Sequence, residues 1–210
     1  MNRMMFFAFL LAAGAASGAG SMKLDESLYV GDTDELLQYD DGSAYWLTWA
    51  GLYRGVWFDI TDFDPYSTGF SAVNSQYWFY HHSSYPWDTS CFYAELWNGV
   101  FESPINRLNQ TSMTALHYTV IVVDYPGGYI GTEGDFLSIV NTSMSSGGWP
   151  SILGDNSAHD PSHSFFSDDF IVWEPWLVGG ATANDYFIRM NGFVDGLASA
   201  SWGAIKGLYR

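Results

Sequence analysis

"ALHYTVIVVDY", Ala115 to Tyr125, is the stretch whose reading decides the fold class. It is dense in β-branched and aromatic residues, and apolar groups occupy both parities of its alternation. That pattern predicts a central strand covered on both faces. His117 within it is expected to be a half-buried imidazole with its hydrogen bonds satisfied. Pro126-Gly127-Gly128 is expected to end the strand, because proline lacks the ladder donor and the glycines favour a turn.

Shorter stretches of the same character lie on either side. Val56, Phe58 and Ile60 alternate with Trp57 and Asp59. "YWFY" (Tyr77 to Tyr80) and "CFYAELW" (Cys91 to Trp97) are aromatic β-formers, and Asn98-Gly99 after the latter is a hairpin signal. "DFLSIV" (Asp135 to Val140), "SHSFF" (Ser162 to Phe166), "FIVWEPW" (Phe170 to Trp176) and "DYFIRM" (Asp185 to Met190) follow, separated by Gly, Pro, Asn, Asp and Ser clusters. Short strands punctuated this way predict an all-β chain, a single antiparallel β-sandwich of jelly-roll kind over residues 36–192.

The ends read differently. "MNRMMFFAFLLAAGAASGAGS" has a positive start at Arg3, a short apolar run and then small residues, the layout of a secretory signal peptide over residues 1–19, with cleavage after Ala19. Its apolar run is too short to span a bilayer, and no later stretch approaches about 18 apolar residues, so no membrane span is expected. Residues 20–35 read as a polar leader arm, and residues 193–210 as a linker and a short helical tail. Within that tail Trp202, Ile205 and Tyr209 share one face of a helix. Docking on the sandwich and acting as a sorting signal are both open to it.

An exported chain with 23 acidic and 7 basic residues, net charge −16, has a field that repels phosphate. Nucleic acid and anionic lipid are therefore not expected partners. Cys91 stands alone, which excludes an internal disulfide. Carboxylate-rich loops raise Ca²⁺ as a possible ligand, with Asp59, Asp62 and Asp64 as candidates beside Asp40-Asp41-Gly42; none has the full ligand series of a known calcium loop, and otherwise no cofactor is expected.

In order along the chain come "YDDG" (Tyr39 to Gly42), "GVWF" (Gly55 to Phe58), "GGYIGTEGDFLSIV" (Gly127 to Val140), "GWPSILGDNSAHDPSHSFF" (Gly148 to Phe166) and "NDYFIRMNG" (Asn184 to Gly192). This series resembles a poorly characterised β-sandwich accessory module of secreted bacterial proteins, marked by an early DDG, a Gly-Asp-Phe strand and a closing Asp-Phe-Met-Ile-Arg-like strand. The resemblance implies an extracellular or cell-surface module and brings no catalytic residues to carry over.

"HDPSHSFF" (His159 to Phe166) offers the most direct chemistry. His159 and His163 stand four apart, but Pro161 between them argues against the helix that would align them, so a metal site there needs a ligand from elsewhere. A Ser-His-Asp reading of the same stretch lacks any nucleophile-elbow context. Glu95, Glu133 and Glu174 are acids without a spacing that marks a glycosidase pair.

The aromatics carry the stronger signal, because Trp faces stack on sugar rings while Asp and Asn accept from hydroxyls. Trp87 and Trp149, beside prolines in loops, and Trp46 and Trp176, in turn-rich sequence, are the candidate ligand-binding residues. The expected function is an exported, non-catalytic recognition module for carbohydrate or a surface protein. A self-assembling structural subunit and a secreted hydrolase are the alternatives.

Overall fold

Alternating apolar residues on successive strands close into two antiparallel sheets. The structure, a computed structural model, describes residues 35–196 except 49–50, 66, 85–86, 101–102, 132–134, 146–148, 157–161 and 179–181. The signal-peptide stretch, the leader arm up to residue 34 and the tail from residue 197 lie outside the described residues, while Glu35 of the expected arm belongs to a strand, as do residues 193–196 of the expected linker. In chain order the elements are β1 (Glu35–Leu37), β2 (Trp46–Thr48), β3 (Tyr53–Phe58), α1 (Ile60–Phe63), β4 (Ser67–Tyr77), β5 (Cys91–Val100), β6 (Ser103–Thr114), β7 (Ile121–Gly131), β8 (Asp135–Asn141), β9 (Ile152–Gly154), β10 (Ser164–Ser167), β11 (Glu174–Pro175), β12 (Leu177–Val178), β13 (Thr182–Ala183) and β14 (Ile188–Gly196).

Of the two larger sheets one has the order β1-β14-β4-β7 and the other β11-β10-β3-β8-β5-β6, while β2-β9 and β12-β13 form two-stranded sheets. Taking β1, β3, β4, β5, β6, β7, β8 and β14 as strands one to eight, the two sheets read 1-8-3-6 and 2-7-4-5, with β10 and β11 extending the second. That is the eight-stranded jelly roll. Between the sheets lies the main core, in which Val56, Phe58, Phe70, Tyr77, Phe92, Leu96, Phe136, Ile188 and Met190 are all buried. A chain of hydroxyls crosses it: Tyr125 donates to Ser75 at 2.7 Å, Ser138 to Ser75 at 3.1 Å, and Tyr77 pairs with Ser138 at 2.9 Å.

The decisive stretch behaves differently from its expectation. Ala115 to Val120 is a turn, with Tyr118 at φ 50°, and the strand is Ile121–Gly131. Among the described residues β7 is an edge strand paired only with β4. Ile121, Val123 and Tyr125 face inward while Asp124 is exposed, so the strand has one covered face, not two. Pro126-Gly127-Gly128 does not end it. The register jumps from Asn74↔Asp124 to Ala72↔Tyr129, so the Pro-Gly-Gly segment is absorbed as a bulge on the unpaired edge, where a missing proline donor costs nothing. Gly128 sits at φ +67°, and a Cβ there would lie 2.8 Å from Ser71 Oγ.

Other expectations shift in the same way. Asn98-Gly99 lies inside β5 at a bulge, and the hairpin closes later, at the Val100↔Ser103 pair. Phe170 to Trp173 is a loop, with Ile171 80% exposed and Trp173 buried. Asp169 holds that loop by accepting from the backbone N–H groups of Ile171 (2.8 Å) and Val172 (3.0 Å). The loop covers an outer cluster of Trp57, Leu137, Ile139 and Phe165. Helix α1 carries no helical period in the sequence; it is nucleated by its cap, where Asp59 accepts from Thr61 N–H at 2.8 Å.

Residues of YDDG, of Gly148 to Phe166 and of NDYFIRMNG meet in one buried polar network. Arg189, 1% exposed, donates to both oxygens of Asp40 at 2.9 and 2.6 Å, and its guanidinium lies 4.8 Å from the Trp78 ring centroid. Asp155 accepts from the backbone N–H of Asp41 (3.1 Å) and of Asp185 (2.8 Å). Ser164 donates to Asp185 at 2.8 Å and accepts from Tyr186 N–H at 2.9 Å. The DDG turn, the Gly-Asp of β9, the start of β10 and the Asn-Asp-Tyr before β14 are thereby tied together.

Candidate functional site

Trp78 to Tyr80 continues beyond β4 and runs between two neighbours. Phe79 bridges to His117 on one side and to Ile152 on the other. This gathers the His117–Tyr118 turn, the Trp78–Tyr80 segment and the Ser151–Leu153 segment at one end of the sandwich. An open cleft of about 540 Å³ lies beside them, lined by His81, Trp87, Asp88, Thr89, Ser90, Thr114, Ala115, Leu116 and His117.

Each aromatic of the cleft is held from behind. Trp87 is half-buried, edge-on to Phe79 at 6.5 Å, and its indole N–H donates to Ser151 Oγ at 3.1 Å. Ser151, buried, donates in turn to the Tyr80 carbonyl at 2.7 Å. Beneath that loop Arg54 of β3, fully buried, donates to the Pro150 carbonyl at 2.9 Å and to the Gly51 carbonyl at 3.0 Å. Burial lowers its guanidinium to about 10.

His81 stacks on Trp87 with centroids 4.9 Å apart and rings 26° from parallel. The backbone N–H of His81 donates to His117 Nδ1 at 3.1 Å, so Nδ1 is the acceptor nitrogen of that ring. Tyr80 packs against both His117 (4.8 Å) and Tyr118 (4.9 Å). His117 is thus exposed at the cleft, where the sequence reading put it inside a covered strand. Around this aromatic wall stand the carboxylate of Asp88 and the hydroxyls of Thr89, Ser90 and Thr114. The arrangement is chemically an aromatic wall with hydrogen-bonding residues beside it.

Of the four tryptophan candidates, Trp87 lines the cleft. Trp149 is half-buried and enters the cis peptide to Pro150, two positions before the serine that holds Trp87. Trp46 is half-buried on β2, donating to Asn156 Oδ1 at 3.2 Å, with Tyr45 edge-on at 4.8 Å. Trp176 is a core residue instead: it is 6% exposed, stacked on Tyr186 at 4.6 Å, and its ring fills the space above Gly154 that a side chain would otherwise take. So little of the ring reaches solvent that it offers no stacking platform.

The ionic candidates also come partly together. Asp62 accepts from Tyr39 OH at 2.9 Å and pairs with His163 Nε2 at 3.1 Å, and His163 lies flat on the Tyr39 ring, centroids 3.6 Å apart. Desolvation, reinforced by the Asp62 bond, raises the Tyr39 phenol far above its ordinary value. Asp59 is spent on capping α1, and Asp64 closes the helix through its backbone N–H to Ile60 O. His159 lies outside the described residues. Among the described residues no three His, Cys, Asp or Glu side chains have the geometry to hold a metal ion.

Several of the residues weighed for hydrolysis have structural partners. Ser162 donates to the Ser164 carbonyl at 3.2 Å, and Ser164 belongs to the buried network. Glu95, 1% exposed, accepts from Trp97 (2.8 Å), Gln110 (2.9 Å) and Asn141 (2.7 Å), with Arg107 at 3.6 Å. Glu174 lies exposed on β11, and Glu133 is outside the described residues. The cleft histidines escaped sequence reading because three segments far apart in the chain converge there; proximity of that kind has no local signal. Among the described residues no helix is long and apolar enough to cross a membrane. Comparison with protein-family models, with curated proteins and with solved structures returns no match.

Proposed function

We propose that this chain is an exported, non-catalytic recognition module that binds carbohydrate in the Trp87 cleft. One observation carries the reading. A half-buried indole is fixed by its own N–H, stacked with an imidazole, and rimmed by a carboxylate and three hydroxyl side chains. A pyranose needs an apolar wall for its C–H face and acceptors and donors at its hydroxyl rim, and preorganised groups provide these at low entropic cost. The signal-peptide-like N-terminus supports export, and the acidic surface supports a neutral ligand over an anionic one.

The test is a glycan array with the chain from residue 20 onward, beside Trp87→Ala and Tyr45→Ala. Binding of a glycan class by the parent, lost at least about tenfold in Trp87→Ala and kept in Tyr45→Ala, is the expected result. An array without binding, or equal binding by Trp87→Ala, overturns the assignment.

A further inference from the structure

The four sheet margins are not alike. Among the described residues β1 has 3 residues, β11 has 2 and ends on Pro175, and β7 carries Pro126, its bulge and the exposed Asp124. These are the usual ways of blunting an edge. β6 has 12 residues, and its far side has no strand partner among the described residues. Its irregularities are confined to the half before Asn109; Asn109 to Thr114 pairs without interruption with Leu96 to Cys91. A regular edge of that length is a template for another strand.

Charge says whose strand. The chain carries −16, so two copies repel over most of their surfaces. β6, "SPINRLNQTSMT", has no acidic residue and one cation, Arg107. Among the described residues Arg107 is also the single Arg or Lys that reaches solvent, its side chain 44% exposed, since Arg54 and Arg189 are buried. Along this margin two copies meet without setting carboxylate against carboxylate.

We infer that β6 pairs antiparallel with β6 of a second copy through Asn109 to Thr114, joining two six-stranded sheets into one. Thr114 ends β6 and lines the Trp87 cleft, so the two clefts of the dimer flank the seam. Self-association does not depend on the carbohydrate reading.

Ser112 is exposed, and its cross-strand partner on β5 is Tyr93. In a two-fold pair centred near Thr111 or Ser112 the two Ser112 side chains lie on one face within about 8 Å. Sedimentation velocity of the chain from residue 20 onward, over about 1 µM to about 1 mM, is expected to show monomer giving way to dimer. Ser112→Glu and Ser112→Lys should each raise the dimer Kd at least about tenfold with unchanged circular dichroism, and mixing the two should restore the dimer. A parent that stays monomeric, a Ser112→Glu that dimerises like the parent, or a mixture that stays monomeric overturns the inference.

Discussion

Replacing Arg189 by methionine probes the network that fixes the fold. The side chain is 1% exposed and makes two charge-assisted bonds to Asp40, whose own side chain is fully buried. Each such bond contributes about 1.5–3 kcal/mol, and breaking a buried pair by removing one partner costs about 3–5 kcal/mol because an uncompensated charge remains. Methionine keeps the stem's contact with Trp78 and Phe187, so the loss is chiefly electrostatic. Burial already raises the Asp40 carboxyl, and Arg189 is the main group pulling it back.

Without the guanidinium the folded value rises further above the unfolded one. A raised carboxyl leaves full stability below the unfolded value of about 4 and removes it as pH climbs, by about 1.4 kcal/mol per pH unit. The deficit of Arg189→Met relative to the parent should therefore grow as pH rises through the neutral range, at no more than about 1.4 kcal/mol per pH unit. Asp40→Leu with Arg189→Met removes both charges and should recover about 2 kcal/mol or more of the single variant's loss. Urea unfolding followed by tryptophan fluorescence measures all three. A pH-independent loss under about 1 kcal/mol, or a double variant no better than the single, would refute the reasoning.

Other expectations follow from the same geometry. Gly154→Ala drives a methyl into the Trp176 ring and should cost about 2–3 kcal/mol in urea unfolding, whereas a neutral effect would mean that the ring moves freely. Glu95→Ala leaves the donors of Trp97, Gln110 and Asn141 without their acceptor and should cost about 2–4 kcal/mol, with glycan binding unchanged in whatever fraction is folded. Tyr77, Tyr125 and Tyr186 are raised chiefly by desolvation. Stability should thus hold up to about pH 9 and fall by about 1.4 kcal/mol per pH unit per tyrosine above about pH 10, with their phenolate absorbance appearing only as the chain unfolds.

How much of this was legible depended on whether the signal was local. DFLSIV, SHSFF and DYFIRM mark β8, β10 and the run into β14, because alternation and β-branching are properties of neighbouring residues. Their number and spacing point to a sandwich of jelly-roll kind, while the pairing order is a tertiary property seen in the sheets alone. Ala115 to Val120 misled because a hydrophobic run says nothing of a residue such as Tyr118 in the left-handed region, which tertiary contacts with Phe79 and Tyr80 hold in place. Phe170 to Trp173 misled because its apolar residues serve different ends, Trp173 as a plug and Ile171 as surface. For the site, Trp87 was readable as a loop aromatic beside proline. Its partners His81, His117 and Ser151 come from separate segments and were not.

The most direct measurement is a ¹⁵N–¹H spectrum of the indole region, which holds one signal for each of the 10 tryptophans, during titration with the strongest glycan of the array. The Trp87 signal, with the backbone amides of Asp88 to Ser90 and Thr114 to His117, should shift and saturate together, while buried Trp57 and Trp176 stay still. Saturating shifts centred on Trp46 or Trp97, with Trp87 unmoved, would place recognition elsewhere on the sandwich and contradict the account.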